Sequence, residues 1–132
     1  MSTNSSIAMV MPDGKIKAIY CHWDGYVSHN GRLLKEHYTS VRKIKRLLSF
    51  GAMSSLREKV GRKHSFDNMD STSCTFYHRD RGDDIKDCKA SIFSSIGYWR
   101  RNHRVMGCSY FYLFRDGAWI CWDWQGQIIP II

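Results

Sequence analysis

The chain has 132 residues, of which 43% are hydrophobic and 14% aromatic, and only 2 are prolines. This length and composition are typical of one globular domain and exclude a disordered or fibrous chain. The formal net charge is +8, from 20 Lys and Arg against 12 Asp and Glu. Such an excess favours acidic partners, namely nucleic acid, a nucleotide or an acidic protein surface. We therefore predict a single domain over residues 1–132.

The N-terminus and the cysteines predict the compartment. The first residues, MSTNSSIAMVMPDGK, lack the basic and long apolar stretches of a signal peptide, and no segment approaches the ~20 apolar residues of a membrane span. The 5 cysteines are widely spaced without a CxxC pair, which is typical of free thiols in a reducing cytoplasm. We expect a cytoplasmic protein that does not contact membranes.

Strand and helix signals follow each other in the N-terminal half. The first residues predict a β-hairpin with strands at Ile7–Met11 and Lys15–Trp23, because the intervening PDG suits a tight hairpin loop. Apolar residues at helical spacing then predict two helical segments, of which the second, SVRKIKRLLSFG, ends at Gly51. The next stretch, SSLREKVG, predicts a further helical turn that ends at Gly61.

The C-terminal half predicts a loop, a strand, a helix and a second hairpin. Residues 61–73 are polar and predict an irregular loop, CTFYHR predicts a central strand at 74–79, and DRGDD a turn. Apolar residues between Ile85 and Trp99 recur at helical intervals and predict one helix. CSYFYLF-RDG-AWICWDW predicts the hairpin. The expected fold class is α+β: an antiparallel sheet of about five strands, built from two hairpins and the central strand, packed with about three helices.

The segment YCHWDGYVSHNG contains the residue types of a metal site or a Cys/His nucleophile. Cys21 and His22 are adjacent in a predicted strand, so their side chains leave opposite faces of the sheet. A catalytic thiolate needs a base within about 3 Å, and a structural zinc ion needs four convergent ligands. We therefore assign no catalytic residue, no metal ligand and no cofactor to this segment.

An acidic run, DRGDD, offers an alternative chemistry. Asp80, Asp83 and Asp84 have the oxygen ligands that a small metal-dependent hydrolase or nuclease needs for magnesium. An acidic run before a helix also caps that helix and interacts favourably with its dipole. Enzymatic activity is thus an alternative, and the main hypothesis is a protein without catalytic residues.

Arginines beside aromatic residues give the more positive signal, because this combination suits phosphate binding together with base stacking. The predicted phosphate-binding residues are Arg79, Arg81, Arg100, Arg101 and Arg104. The predicted stacking residues are Tyr77, Tyr98 and Trp99. A secondary basic face on the second helical segment comprises Arg42, Lys43, Lys45 and Arg46.

The chain resembles a group of small bacteriophage and prophage proteins. The resemblance lies in Tyr20-Cys21-His22-Trp23-Asp24-Gly25-Tyr26, then HNG at 29–31, Leu34 and EHY at 36–38, with HSFDN, YHRDRG and YLFRDGAW in matching order. It implies a phage gene product in the host bacterial cytoplasm, where small accessory proteins often inhibit nucleic-acid-guided nucleases, as anti-CRISPR proteins do, or sequester a nucleotide signal. It assigns no functional residue. Inhibitors that mimic DNA are acidic, unlike this basic chain.

These observations lead to one main hypothesis and two alternatives. We expect a phage counter-defence protein that binds a phosphate-bearing ligand, either nucleic acid in a host defence complex or a cyclic nucleotide, through a basic, aromatic-lined surface. The first alternative is an inhibitor that binds the acidic protein surface of a host complex. The second is the metal-dependent hydrolase or nuclease. A homo-oligomer is compatible with each.

Overall fold

A mixed β-sheet of eight strands runs through the computed structural model, which describes residues 2–68 and 71–131. The strands are β1 (Asn4–Val10), β2 (Ile16–Cys21), β3 (Met53–Ser55), β4 (Thr75–Phe76), β5 (Ser91–Phe93), β6 (Cys108–Arg115), β7 (Ala118–Asp123) and β8 (Ile128–Ile129). Their order is β4-β3-β2-β1-β6-β7-β8, and β5 pairs with the first part of β2. The β1–β6 and β2–β3 pairs are parallel, and the other pairs are antiparallel.

Helices cover both faces of this sheet. They are α1 (Arg32–His37), which follows a π-helical turn at Val27–Gly31, α2 (Val41–Ser49), α3 (Tyr77–Arg81), α4 (Ile85–Cys88) and α5 (Ile96–Val105). Ile7 and Met9 of β1 belong to the core cluster that includes α1 and α2, whereas Ala8 belongs to the cluster of α5. Successive side chains of a strand point to opposite faces, so α1 and α2 lie on one side of the sheet and α5 on the other.

The α+β class is confirmed, and the antiparallel sheet of about five strands is wrong. The described strands are more numerous and partly parallel. Three of the additional strands have only two or three residues, too few for an alternating pattern to show. The direction in which β1 pairs with β6 depends on a long-range contact that strand composition does not encode.

Both predicted hairpins are confirmed. β1 and β2 pair antiparallel, and the Met11 amide donates to the Lys15 carbonyl at 2.8 Å across the PDG loop. β6 and β7 pair antiparallel around Asp116 and Gly117, whose φ angles are 53° and 79°. Two left-handed residues in succession are what a tight hairpin turn requires, and Asp-Gly adopts them readily.

Three other predicted elements are wrong. The single helix between Ile85 and Trp99 is divided into α4, β5 and α5, because β5 pairs with β2 and Ser95 caps a new helix. The predicted turn in SSLREKVG is partly strand β3, which pairs with β2 and β4. The central strand ends at Phe76, where α3 begins.

Among the described helices, the longest has 10 residues, and none has the length and apolar character needed to cross a membrane.

Candidate functional site

A basic groove of about 650 Å³ lies between α2 and residues 59–64. Its lining residues are Lys43, Arg46, Lys59, Val60, Gly61, Arg62, Lys63, His64 and Ser73. Six of these nine are Lys, Arg or His, and no described lining residue is acidic. This surface, which we call the basic groove, brings together 5 of the chain's 20 Lys and Arg residues.

Helix α2 forms one side of the basic groove. Its apolar side packs into the core through three buried residues, Ile44, Leu47 and Leu48, which leaves Lys43 and Arg46 on the side of the helix away from the core. Ser40 accepts a hydrogen bond from the Lys43 amide at 3.2 Å and caps the helix. The Lys43 ammonium donates to the Glu58 carbonyl at 3.2 Å and lies 4.5 Å from the Tyr38 ring centre. Lys43 is therefore held at the groove rather than extended into solvent.

Among the described residues, no carboxylate pairs with the other charges of the groove. In the described ranges 2–68 and 71–131, no carboxylate lies within 4.0 Å of the charged nitrogens of Arg46, Lys59, Arg62 or Lys63. Cationic side chains that share a concave surface without carboxylates produce a positive potential over it. Such a potential favours negatively charged groups at this surface.

The opposite wall, residues 61–64, is fixed by long-range hydrogen bonds. The Gly61 carbonyl accepts from Arg79 Nη1 at 3.0 Å, and the His64 amide donates to Asp80 Oδ1 at 3.0 Å. The His64 ring donates through Nδ1 to the Arg62 carbonyl at 3.1 Å, and its Nε2 bonds Thr75 Oγ1 at 3.0 Å. Both ring nitrogens are occupied, so His64 supports the wall and is not a free base.

Arg79, predicted to contact phosphate, is instead an internal clamp, and this assignment is corrected. Its side chain is only 9% exposed. The guanidinium donates to Asp80 Oδ1, to the Gly61 carbonyl and to the Cys74 carbonyl at 2.9–3.0 Å. It also lies 4.7 Å from the Phe76 ring centre. With each guanidinium nitrogen bonded within the chain and its flat face against Phe76, Arg79 positions the wall of the groove.

The carboxylates of DRGDD have structural roles. The Asp80 side chain is fully buried; burial alone would raise its pKa, but hydrogen bonds from Arg79 and from the Phe76 and His64 amides lower it below the ordinary value. Asp83 forms a bidentate ion pair with Arg81 at 2.6 and 2.8 Å, and Asp84 caps α4. Within the described residues, no group of three or more His, Cys, Asp or Glu side chains is placed to hold a metal ion.

A second groove, of about 240 Å³, lies beside α5 on the opposite face of the sheet. It brings together three predicted phosphate-binding residues, Arg100, Arg101 and Arg104. Asp123 also lines it, and Trp124 lies there 50% exposed. The Arg100 guanidinium lies 5.1 Å from the Trp122 ring centre. This α5 groove is smaller than the basic groove and, unlike the described lining of that groove, includes a carboxylate.

The remaining predicted residues divide between surface and core. Trp99 is fully buried, and its indole N–H donates to Ser6 at 2.8 Å, so its predicted stacking role is corrected to a core role. Tyr98 is half-exposed but does not line the α5 groove. Tyr77 is half-buried, and the Arg81 guanidinium lies 4.6 Å from its ring centre. Arg81 is exposed, but its charge is already paired.

The secondary basic face is only partly brought into the groove. Lys43 and Arg46 line it, whereas Lys45 lines a separate depression near the hairpin turns, and Arg42 is exposed and does not line the groove. Residues one or two apart on a helix point in different directions. Two of the four predicted residues therefore belong to the site.

Strand alternation predicts that one of the two side chains, Cys21 or His22, points into the core. In the structure this is the Cys21 thiol, which is buried. Burial raises the pKa of this thiol to about 12, so it is protonated at neutral pH. His22 is half-exposed, and its Nδ1 lies 2.9 Å from the Tyr20 hydroxyl. The thiol lies in the core and the histidine lies at the surface, so Cys21 and His22 do not form a nucleophile–base pair.

Sequence reasoning missed one of the two walls of the basic groove, and with it four of the six basic side chains. Residues 59–64 come from a stretch expected to be a helical turn followed by an irregular loop, and their basic side chains are Lys59, Arg62, Lys63 and His64. The available signal was the run RKH directly after Gly61. Its placement opposite α2 depends on Arg79 and Asp80, which are distant in sequence.

A scan against protein-family models finds no match for this chain. Searches among curated proteins and among solved structures find none either.

Proposed function

We propose that this protein binds nucleic acid through the basic groove. One observation carries the proposal: five Lys and Arg side chains line a single groove of about 650 Å³ in which no described lining residue is acidic. Phosphates of a nucleic-acid backbone are the ligands that match several fixed positive charges, and they supply most of the affinity of such contacts.

The lining favours a phosphate backbone over one enclosed nucleotide. Among the described lining residues, Val60 is the only one with a sizeable apolar side chain, and it is buried. A pocket for a single nucleotide needs apolar or aromatic walls for the base. Lys and Arg side chains contact the backbone without reading the base, so we expect binding with little sequence preference.

The biological setting extends the same proposal. A phage product that resembles small accessory proteins would meet this nucleic acid in a host defence complex. A cyclic nucleotide and an acidic protein surface are the competing ligands, because both also carry negative charge. Each predicts a different outcome in the experiment below.

The test is a titration of labelled oligonucleotides followed by fluorescence anisotropy. We expect Arg46→Gln/Arg62→Gln/Lys63→Gln to bind at least about tenfold more weakly than the wild type. Each lost phosphate contact means that fewer counterions are released when the nucleic acid binds. The matched control is Lys15→Gln/Lys86→Gln/Arg115→Gln, which removes the same charge from exposed residues outside the groove.

Equal losses of affinity in both triple variants would contradict binding at the groove and would show only an effect of net charge. Absence of binding to any oligonucleotide at low salt would contradict the proposal as a whole. In that case calorimetry with cyclic nucleotides, and capture of a partner from nuclease-treated lysate, test the two competing ligands.

A further inference from the structure

The segment YCHWDGYVSHNG exposes two large aromatic side chains that the basic groove does not use. Trp23 is 42% exposed and Tyr26 is 40% exposed. His22 packs edge-on with Trp23 at 4.7 Å between ring centres, and His29 lies 6.0 Å from Tyr26. We call these four residues the aromatic corner.

The backbone that presents the aromatic corner is held by hydrogen bonds to buried groups. Asn30 is fully buried, and its amide donates to Ser5 Oγ at 3.2 Å and to the Trp23 carbonyl at 3.4 Å. The Gly25 carbonyl accepts from the Tyr112 hydroxyl at 2.6 Å. Trp23 and Tyr26 therefore stay exposed on a fixed support, which limits the entropy lost when a ligand contacts them.

A cationic residue connects the aromatic corner to the basic groove. Arg57 Nη1 lies 3.4 Å from His29 Nε2 and donates to the Leu56 carbonyl at 3.0 Å. Arg57 precedes Lys59 of the groove by two residues, so their Cα atoms are at most about 7 Å apart. Arg57 therefore places a cation between the groove and the aromatic side chains, next to the exposed Glu58 and on the side of the aromatic corner where Tyr26 bonds Asp24.

We propose that the nucleic acid bound by the groove is single-stranded, with its backbone continuing past Arg57 and its unpaired bases stacking on Trp23 and Tyr26. This inference rests on the proposed function. Aromatic side chains next to a basic track bind single strands because every base has a face that stacks. In a duplex the bases are paired inside the helix, and their faces are not available to side chains at its surface.

The test compares labelled oligonucleotides of about 12 nucleotides, within the range that single-strand-binding domains cover. Single-stranded DNA, single-stranded RNA, the DNA duplex and an abasic strand are titrated separately. We expect the single strands with bases to bind at least about fivefold more tightly than the abasic strand, because the abasic strand retains phosphates but cannot stack. The comparison of single-stranded DNA with single-stranded RNA shows which sugar the protein prefers.

The variant Trp23→Ala/Tyr26→Ala should lose about tenfold in affinity for single strands and little for the duplex or the abasic strand. Trp23→Phe/Tyr26→Phe retains the rings and should restore most of the binding, which also separates stacking from misfolding. Trp124→Ala is the matched control, since Trp124 is 50% exposed beside the α5 groove on the other face of the sheet.

The two proposals fail in different ways. If the groove variant loses binding while the aromatic variant binds every oligonucleotide like the wild type, single-strand stacking is overturned and the proposed function stands. Tighter binding to the duplex than to single strands also overturns the inference. If the groove variant binds like the wild type, the proposed function itself is contradicted.

Discussion

Gly25 lies where the aromatic corner touches the start of β1. A Cβ at this position would come within 2.8 Å of both the Ser5 Cβ and the Thr3 carbonyl oxygen. The Gly25 amide also donates to that carbonyl at 2.8 Å. We expect Gly25→Ala to lower the free energy of unfolding by about 1–3 kcal/mol, because two backbone segments must separate. Urea denaturation measures the change.

Gly97 provides the matched control, because it lies in α5 and a Cβ there meets nothing within 4 Å. Alanine favours the helix, so Gly97→Ala should raise the free energy of unfolding by about 0.5–1 kcal/mol. A decrease of the same size in both variants would show that the close approach at Gly25 does not limit stability.

Asp80 makes stability depend on pH. Burial alone would raise the pKa of its carboxyl, but the Arg79 side chain and the Phe76 and His64 amides hydrogen-bond to it and lower its pKa below the ordinary 3.8. The unfolded chain therefore binds this proton more readily than the folded chain. The stabilisation is fully present above the unfolded pKa and is lost as the pH falls through the lower folded pKa.

Asp80→Asn should consequently destabilise the protein at pH 7, and its stability should fall less steeply than that of the wild type as the medium is acidified from pH 5. Urea denaturation at a series of pH values measures this. Glu36→Gln, which removes an exposed carboxyl, is the control. If the stability of the wild type and that of Asp80→Asn changed with pH in parallel, the role of Asp80 in the pH dependence would be contradicted.

Among the elements, α5 shows what periodicity does not determine. The apolar residues between Ile85 and Trp99 fit one helix, yet the chain forms α4, β5 and α5. Each helix has its own start, since Asp84 accepts from the Lys86 amide and Ser95 from the Tyr98 amide. Capping hydrogen bonds and pairing with β2 therefore override the helical spacing.

Removing the α5 cap tests this explanation. Ser95→Ala should lower the free energy of unfolding by about 1 kcal/mol, because the Tyr98 amide loses its acceptor. Ser94 is exposed and precedes the cap, so Ser94→Ala should have little effect. Thermal or urea unfolding of the two variants gives the comparison, and equal effects would show that Ser95 does not define the start of α5.

In the whole molecule, local signals predicted the two hairpins and the charged side of α2. Pro-Asp-Gly and Asp-Gly turns act within a few residues, and the spacing of Ile44, Leu47 and Leu48 is sufficient to place Lys43 and Arg46 on the outer side of α2. The parallel strand pairs were not predictable in this way, because they join segments separated by long stretches of chain.

For the candidate site, only the wall formed by α2 was predicted from the sequence. Its second wall depends on the bonds from Arg79 and Asp80 to residues 61–64, which no local pattern reveals. Arg79 is of a residue type that often binds phosphate, but its side chain is buried and bonded within the chain. Burial therefore distinguishes the binding role from the structural role. Trp99 differs from Trp23 in the same way, since one is in the core and the other at the surface.

The salt dependence of oligonucleotide binding tests the central claim most directly. For single strands, the logarithm of the association constant should fall with the logarithm of salt concentration by about 0.7 for each phosphate contact. Arg46→Gln/Arg62→Gln/Lys63→Gln should make this slope shallower by about 2, while the triple control at Lys15, Lys86 and Arg115 leaves it near the wild-type value. An identical slope in the wild type and the groove variant would contradict binding of nucleic acid at the basic groove.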